Sequence, residues 1–133
     1  MEFEPQLGVL PGPMDDGLKI YDYSIARRLM TARRGNPEGY PCVFINWDNT
    51  PRRGANGIVF INATPEYFEA GLREGIQSVI NRPPDERIVF VNAWNEWAEG
   101  NDLEPDLKHG LAYLEAVRRA SSDAAVGSAV GPA

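Results

Sequence analysis

The sequence predicts an α/β fold with a parallel sheet. Two runs of apolar and β-forming residues, 41–47 and 87–94, lack polar–apolar alternation, which is typical of strands buried on both faces. Segments with apolar residues every three or four positions precede, separate and follow these runs, as in amphipathic helices. Apolar strands that alternate with helices indicate a parallel sheet.

Loops and helices account for the rest of the first half. Residues 1–19 carry three prolines and three glycines, which predicts a loop-rich N-terminal segment. A helix is predicted over 22–34, with Asp22 as its N-cap and Gly35 as its stop. A second, shorter β-like run spans 57–62.

The longest helical pattern follows this run. Thr64 is its predicted N-cap, and Pro65 occupies its first position. Gly71 and Gly75 each cost about 1 kcal/mol relative to alanine within a helix. Because they lie four residues apart on one edge of the apolar stripe, we expect the helix to pack closely on the sheet there.

A last helix completes the predicted domain, which spans 20–120. Asp106 is predicted as its N-cap, and its buried face is expected at Leu107, Leu111, Leu114 and Val117. The small residues of 121–133 predict a disordered tail.

Composition excludes several classes of protein. The chain has 133 residues, is 43% hydrophobic and carries a net charge of −6, which argues against nucleic acid or an anionic membrane as the main partner. No apolar run is long enough to cross a membrane, and residues 1–20 lack the features of a signal peptide, so a soluble, cytoplasmic protein is expected. The single cysteine, Cys42, excludes an internal disulfide and a multi-cysteine zinc site, and its apolar neighbours predict a buried thiol.

Polar and aromatic side chains follow both apolar strands. The first cluster spans 47–53 and the second spans 94–106, and each begins with a tryptophan followed by carboxylates. In parallel α/β folds, reacting groups lie on the loops after the carboxyl ends of strands. The two clusters therefore predict a shared functional site.

Glu96 and Glu99 are the candidate catalytic residues. They lie three apart, so a helical turn or tight loop places both carboxylates on one side. Two carboxylates in different environments suit general acid, base or nucleophile roles at an acetal carbon, and the indoles of Trp94 and Trp97 suit stacking on sugar rings. The alternative is that Glu96 and Glu99 pair with arginines at 52 and 53 and that the tryptophans belong to the core.

Other residues of the two clusters have both functional and structural interpretations. Asp48, Asn49, Arg52 and Arg53 suit sugar hydroxyls, or the arginines suit a phosphate or carboxylate, whereas a β-turn at 49–51 is the structural alternative. Glu104 and Asp106 suit the start of a helix, with the cap favoured for Asp106. His109 is interpreted as an exposed histidine of the last helix, and no metal-ligand spacing or phosphate-binding glycine loop is present, so no metal or cofactor is expected.

Two motifs resemble those of a known family. The run from Phe90 to Asp106 (FVNAWNEWAEGNDLEPD), followed by Gly110 and 113–116, is similar to the signature of the WbsX family. The block from Trp47 to Arg53 and the segment from Ile20 to Tyr23 are also similar to it. Members are described as glycosyltransferases of bacterial O-antigen (lipopolysaccharide) biosynthesis and as glycoside hydrolase family 99-like domains.

This resemblance implies a (β/α)8 TIM-type barrel that acts on glycans. In the related hydrolases, two glutamates in a Glu-x-x-Glu arrangement perform retaining cleavage of α-mannosides. By position, Glu96 is the base that assists the sugar 2-hydroxyl and Glu99 is the general acid. The residues expected to bind the oligosaccharide, or a nucleotide-sugar donor, are Trp47, Asp48, Asn49, Arg52, Trp94, Asn95, Trp97 and Glu104.

The chain is shorter than such a barrel. A whole barrel takes roughly 250 residues, so the sequence is interpreted as a C-terminal portion. Self-association or a missing N-terminal half is expected to complete it. Three functions follow: a glycosyl-cleaving or glycosyl-transferring enzyme, a non-catalytic glycan-binding module, or an inactive fragment.

Overall fold

The computed structural model describes residues 17–32 and 39–128. The predicted loop over 1–16, the helix stop at Gly35 and the end of the predicted tail, 129–133, lie outside these residues. The described chain alternates strands and helices. Its main elements are β1 (Lys19–Asp22), α1 (Tyr23–Ala32), β2 (Cys42–Phe44), α2 (Thr50–Arg53), β3 (Ile58–Ile61), α3 (Pro65–Val79), β4 (Phe90–Asn92), β5 (Asn95–Glu96), β6 (Asn101–Asp102) and α4 (Ala112–Ser128).

The parallel pairing of strands is confirmed. β1 pairs with β3, and β2 pairs with β4, both in parallel. Between β2 and β4 the chain passes through α2, β3 and α3, so β3 pairs with β1 before α3 leads the chain to β4. The short strands β5 and β6 form an antiparallel hairpin directly after β4. The described residues therefore form a mixed α/β fold.

Two predicted helix starts are confirmed in their caps. The carboxylate of Asp22 accepts hydrogen bonds from the backbone N–H groups of Ser24 and Ile25, at 2.9 and 3.2 Å, although residues 19–22 themselves form a strand that the sequence did not predict. The hydroxyl of Thr64 accepts from the N–H of Tyr67 at 3.3 Å, and Pro65 begins α3.

The expected close packing of α3 on the sheet is also observed. A Cβ placed on Gly75 would lie 3.2 Å from Val89 and 3.5 Å from Val43. A Cβ on Gly71 would lie 3.4 Å from Val43 and 3.0 Å from the side chain of Arg27. Both glycines thus bring the helix backbone nearer to β2 than a larger residue allows.

The core lies on the α3 and α4 side of the strands. Its buried residues are Val43, Ile45, Phe68, Leu72, Leu103, Tyr113, Ala116 and Ala120. A smaller cluster of Tyr21, Tyr23, Ala26 and Phe60 joins α1 to β1 and β3. Among the described residues, no helix is long and apolar enough to cross a bilayer.

Burial on both faces of β2 and β4 was predicted, and this is wrong. Cys42, expected to be a buried thiol, is exposed, and Ile88 and Phe90 are exposed as well. Val43 of β2 is buried, and Phe44 on the opposite face packs on Tyr23 of α1. Cys42 and its ladder partner Phe90 meet solvent instead. An apolar run indicates that a strand favours burial, but it does not determine whether another element of the fold covers that strand.

The last helix begins later than predicted. Asp106 precedes α4 by six residues (112 − 106) and holds a turn instead of capping the helix. Leu107 is fully exposed and Leu111 is largely exposed, so the predicted buried face is wrong for these two residues. Leu114 and Val117 are partly buried against the core, as predicted. The fully buried face is formed by Tyr113, Ala116 and Ala120. At the other end α4 continues to Ser128, so the backbone is helical over 121–128, where a disordered tail was expected.

Candidate active site at the ends of β2 and β4

The loop after β2 is held by its own polar side chains. The carboxylate of Asp48 accepts from the N–H and the hydroxyl of Thr50, at 2.9 and 2.6 Å, which fixes the entry into α2. The side chain of Asn49 is buried, and its Oδ1 accepts from the N–H of Ile58 at 2.7 Å. Asn49, predicted to bind substrate, is therefore engaged in holding β3. The predicted β-turn is the single-turn helix α2, whose N-cap residue is Asn49.

The loop after β4 folds into the β5–β6 hairpin. Asn95 pairs with Asp102 and Glu96 with Asn101, and a short 3₁₀ turn over Trp97–Glu99 connects the strands. Gly100 ends that turn with a φ of 57°, a left-handed conformation that favours glycine. Glu96 directly precedes this turn and Glu99 is its last residue.

Backbone and amide contacts join the two loops. The N–H of Asp48 donates to the carbonyl of Glu99 at 2.7 Å. Asn101 is completely buried, and its Oδ1 accepts from the N–H of Ile45 at 3.2 Å. The two acidic and aromatic clusters therefore meet, as the strand ends predicted. Asn101 was missed by sequence reasoning, because its role depends on a hairpin of two-residue strands that leaves no periodic signal.

The two glutamates occupy different environments. Glu99 is 5% exposed, and its Oε1 is in contact with the guanidinium Nη2 of Arg52. Glu96 is exposed to solvent at the end of β5. The structural alternative, in which both carboxylates pair with arginines, holds for Glu99, which pairs with Arg52. Glu96 and Arg53 are both exposed.

The three tryptophans also differ. Trp94 and Trp97 are 53% and 51% exposed, so neither belongs to the core. Trp47 is partly buried against the cluster that contains Tyr21 and Phe60. The indole Nε1–H of Trp97 donates to Oε2 of Glu104 at 2.7 Å. Glu104 therefore orients an exposed indole instead of starting a helix, and Asn95 is exposed beside Glu96.

The turn before α4 gathers further titratable groups. The carboxylate of Asp106 accepts from the N–H groups of Lys108 and His109, at 2.6 and 2.5 Å, and its Oδ2 lies 3.3 Å from Nδ1 of His109. Burial alone would raise the pKa of Asp106, but these donors hold it below its ordinary value of 3.8. His109, predicted to be exposed on a helix, is half-buried in this turn and packs on the ring of Tyr113.

Two neighbouring groups have pKa values shifted in the opposite direction. Burial raises the pKa of Asp102 above 3.8, and the negative charges of Asp106 and Glu104 add to the effect. Burial also raises the pKa of Tyr113, with Asp106 and Asp102 contributing. In the part of the chain that the structure describes, no three His, Cys, Asp or Glu side chains form a group able to hold a metal ion.

Comparison with known proteins identifies the family. The family model described as "Glycosyltransferase WbsX" matches residues 12–117, which is most of the chain. The chain belongs to the WbsX family. Two curated relatives, both named "Uncharacterized protein WxcX" and from two strains of Xanthomonas campestris pv. campestris, are 46% identical over 82 residues. That match covers 61% of this chain and 12% of each relative, and no solved structure matches the chain.

Proposed function

We propose that this chain carries the acidic half of a carbohydrate-active site that cleaves or transfers glycosyl units in bacterial surface-polysaccharide metabolism. Membership of the WbsX family supports action on carbohydrate. The single observation that carries the proposal is the contrast between Glu99, buried and paired with Arg52, and Glu96, exposed three residues away. Two carboxylates in different environments are what acid–base chemistry at an acetal carbon requires.

The roles that the resemblance implies place one condition on Arg52. A general acid must carry a proton, whereas a guanidinium beside Glu99 stabilises the ionised carboxylate. The side chain of Arg52 is 68% exposed, so a bound sugar has access to its guanidinium.

In this proposal, substrate draws Arg52 away and Glu99 takes up a proton from solvent. Glu99 gives that proton to the leaving oxygen as the glycosidic bond breaks, while Glu96 takes the proton of the 2-hydroxyl and the 2-oxygen bonds to the anomeric carbon. Water or an acceptor hydroxyl then attacks the anomeric carbon and loses its proton to Glu99, and Glu96 returns a proton to the released 2-oxygen.

The sugar is held by the exposed face around the pair. Trp94 and Trp97 present indole surface, and Asn95 lies between them on β5. Glu104 fixes the orientation of Trp97. Asp48 and Trp47 form the opposite loop, which contacts Glu99 through the backbone.

A complete TIM-type barrel is part of the proposal. β4 exposes Phe90, and the strands of the described residues form two parallel pairs rather than one closed sheet. We propose that a second copy or a further barrel portion covers this face. A barrel built from copies makes specific activity rise with protein concentration, because assembly precedes turnover.

The experiment compares Glu99→Gln with Glu86→Gln, an exposed glutamate in the turn before β4. Product release from an α-mannooligosaccharide is measured over a range of protein concentrations, with and without a nucleotide sugar. We expect Glu99→Gln to lower turnover at least about a hundredfold while sugar binding persists, and Glu86→Gln to match the unaltered chain. Equal turnover in both variants would contradict the catalytic role.

A glycan-binding module without catalysis is the second candidate function. The exposure of two indoles, rather than any feature of the carboxylates, favours it. Its signature in the same experiment is tryptophan fluorescence that shifts with the oligosaccharide, without product and without a difference between Glu99→Gln and the unaltered chain.

A further inference from the structure

A cleft of about 390 Å³ lies beside the hairpin, and neither Glu96 nor Glu99 lines it. Its residues come from the end of β2, the hairpin, the 106–109 turn and the start of α4. The volume is within the range of roughly 300–1,000 Å³ that small-molecule sites have. None of the residues predicted to be functional lines it except Trp97.

The polar lining of the cleft includes both acceptors and basic groups: Asp102 and Asp106 line it together with Lys108 and His109. Asp102 lies in the wall with its carboxylate partly buried, and the charge of Asp106 lies nearby. Asn46 also lines the cleft, and its buried Oδ1 receives no hydrogen bond within the described residues. An acceptor without a donor costs free energy, which a ligand hydroxyl would recover once the Asn46 amide rotates its buried oxygen towards the cleft.

The apolar lining of the cleft includes the rings of Trp97 and Tyr113 and the side chain of Leu107. Trp97 is half-exposed, and its bond to Glu104 limits the rotation of the indole. Leu107 is fully exposed at the rim. An indole and two oxygen acceptors in one cleft match a pyranose ring, which offers C–H groups on its faces and hydroxyl donors around its edge.

We propose that this cleft binds one pyranose unit of the glycan, with Trp97 as the stacking surface and Asp102 and Asn46 as acceptors for its hydroxyl groups. The inference deepens the proposed function and rests on it, because it adds a sugar contact beyond the carboxylate pair. Asp102 and Asp106 share the lining with Lys108 and His109, so the wall does not carry a single sign of charge. Recognition therefore depends on hydroxyl groups and the stacking surface, which a neutral sugar supplies.

The test observes the indole N–H resonances of the full chain by NMR. Trp47, Trp94 and Trp97 give three such peaks, and a Trp97→Phe variant assigns the one of interest. Methyl α-mannopyranoside and chitobiose are the probes. We expect at least one of them to shift the Trp97 peak in a saturable manner.

Three variants locate the site. Asp102→Ala should raise the Kd of the bound probe about ten- to a hundredfold, the loss expected for one hydrogen bond to a charged group. Leu107→Trp should fill the mouth of the cleft and abolish the shift, whereas Leu111→Trp, exposed outside the cleft, should leave it unchanged. Both leucines are exposed, so neither change disturbs the core.

The outcomes separate this inference from the proposed function. Glu99→Gln should keep the Trp97 shift while losing turnover, because Glu99 does not line the cleft. A probe that shifts the Trp94 peak but not the Trp97 peak overturns the inference and leaves the proposal for the carboxylate pair unaffected. A Trp97 shift that survives Leu107→Trp, or the absence of any shift, overturns it as well.

Discussion

The loop after β2 and the loop after β4 touch each other, yet their side chains are used differently. In the first loop, Asp48 and Asn49 direct their oxygens to backbone N–H groups of their own neighbourhood. In the second, Trp94, Asn95 and Glu96 face solvent. The polar side chains of the first loop hold the loop together, whereas those of the second loop are available to a ligand. An atom that is already hydrogen-bonded inside the fold has less to gain from a ligand than one that faces solvent.

The largest expected effect tests the first loop. Asn49→Ala removes the acceptor for the N–H of Ile58 and leaves that group unpaired, so we expect the free energy of unfolding to fall by about 1–3 kcal/mol. Asn95→Ala, at an exposed position of the second loop, should change it by about 0.5 kcal/mol or less. Urea denaturation measures both. Equal losses would erase the distinction between the loops.

The contact between the loops is the next test. A double-mutant cycle of Arg52→Ala and Glu99→Gln should give a coupling energy of about 1 kcal/mol, reduced in high salt because the Arg52 side chain is exposed. The same cycle with Glu96→Gln in place of Glu99→Gln should give no coupling. A coupling to Glu96 as large as that to Glu99 would contradict the assignment of Arg52 to the buried glutamate.

The smallest effect concerns Asp102, in the second loop. Its folded-state pKa is raised, so the folded protein holds this proton more tightly than the unfolded chain, and stability falls as the pH rises through 3.8 and beyond. Asp102→Asn removes that penalty. We expect a gain of up to about 0.5 kcal/mol at pH 7, which disappears below pH 3.8.

Denaturation at several pH values checks this, with Asp85→Asn in the exposed turn before β4 as the control. A loss of stability at pH 7 in Asp102→Asn would show that the carboxylate makes a favourable contact in the folded state.

Local features were predicted well because they depend on neighbouring residues. The caps Asp22 and Thr64 satisfy N–H groups two or three positions ahead, and the spacing of Gly71 and Gly75 alone puts them on one helix edge. The start of α4 was missed for a related reason. Asp106 bonds the N–H groups of 108 and 109 as a cap would, but the chain turns at Gly110 before the helix begins.

By itself, the sequence determined that two acidic and aromatic clusters follow two parallel strands, because strand and helix preferences are local and the ends of parallel strands share an edge. Only the tertiary structure decided which glutamate is buried, since Arg52 and Glu99 lie 47 residues apart. The cleft beside Trp97 also depends on tertiary packing, because its walls come from four separate segments. Burial and charge pairing across such distances are properties of the packed chain, and no local pattern carries them.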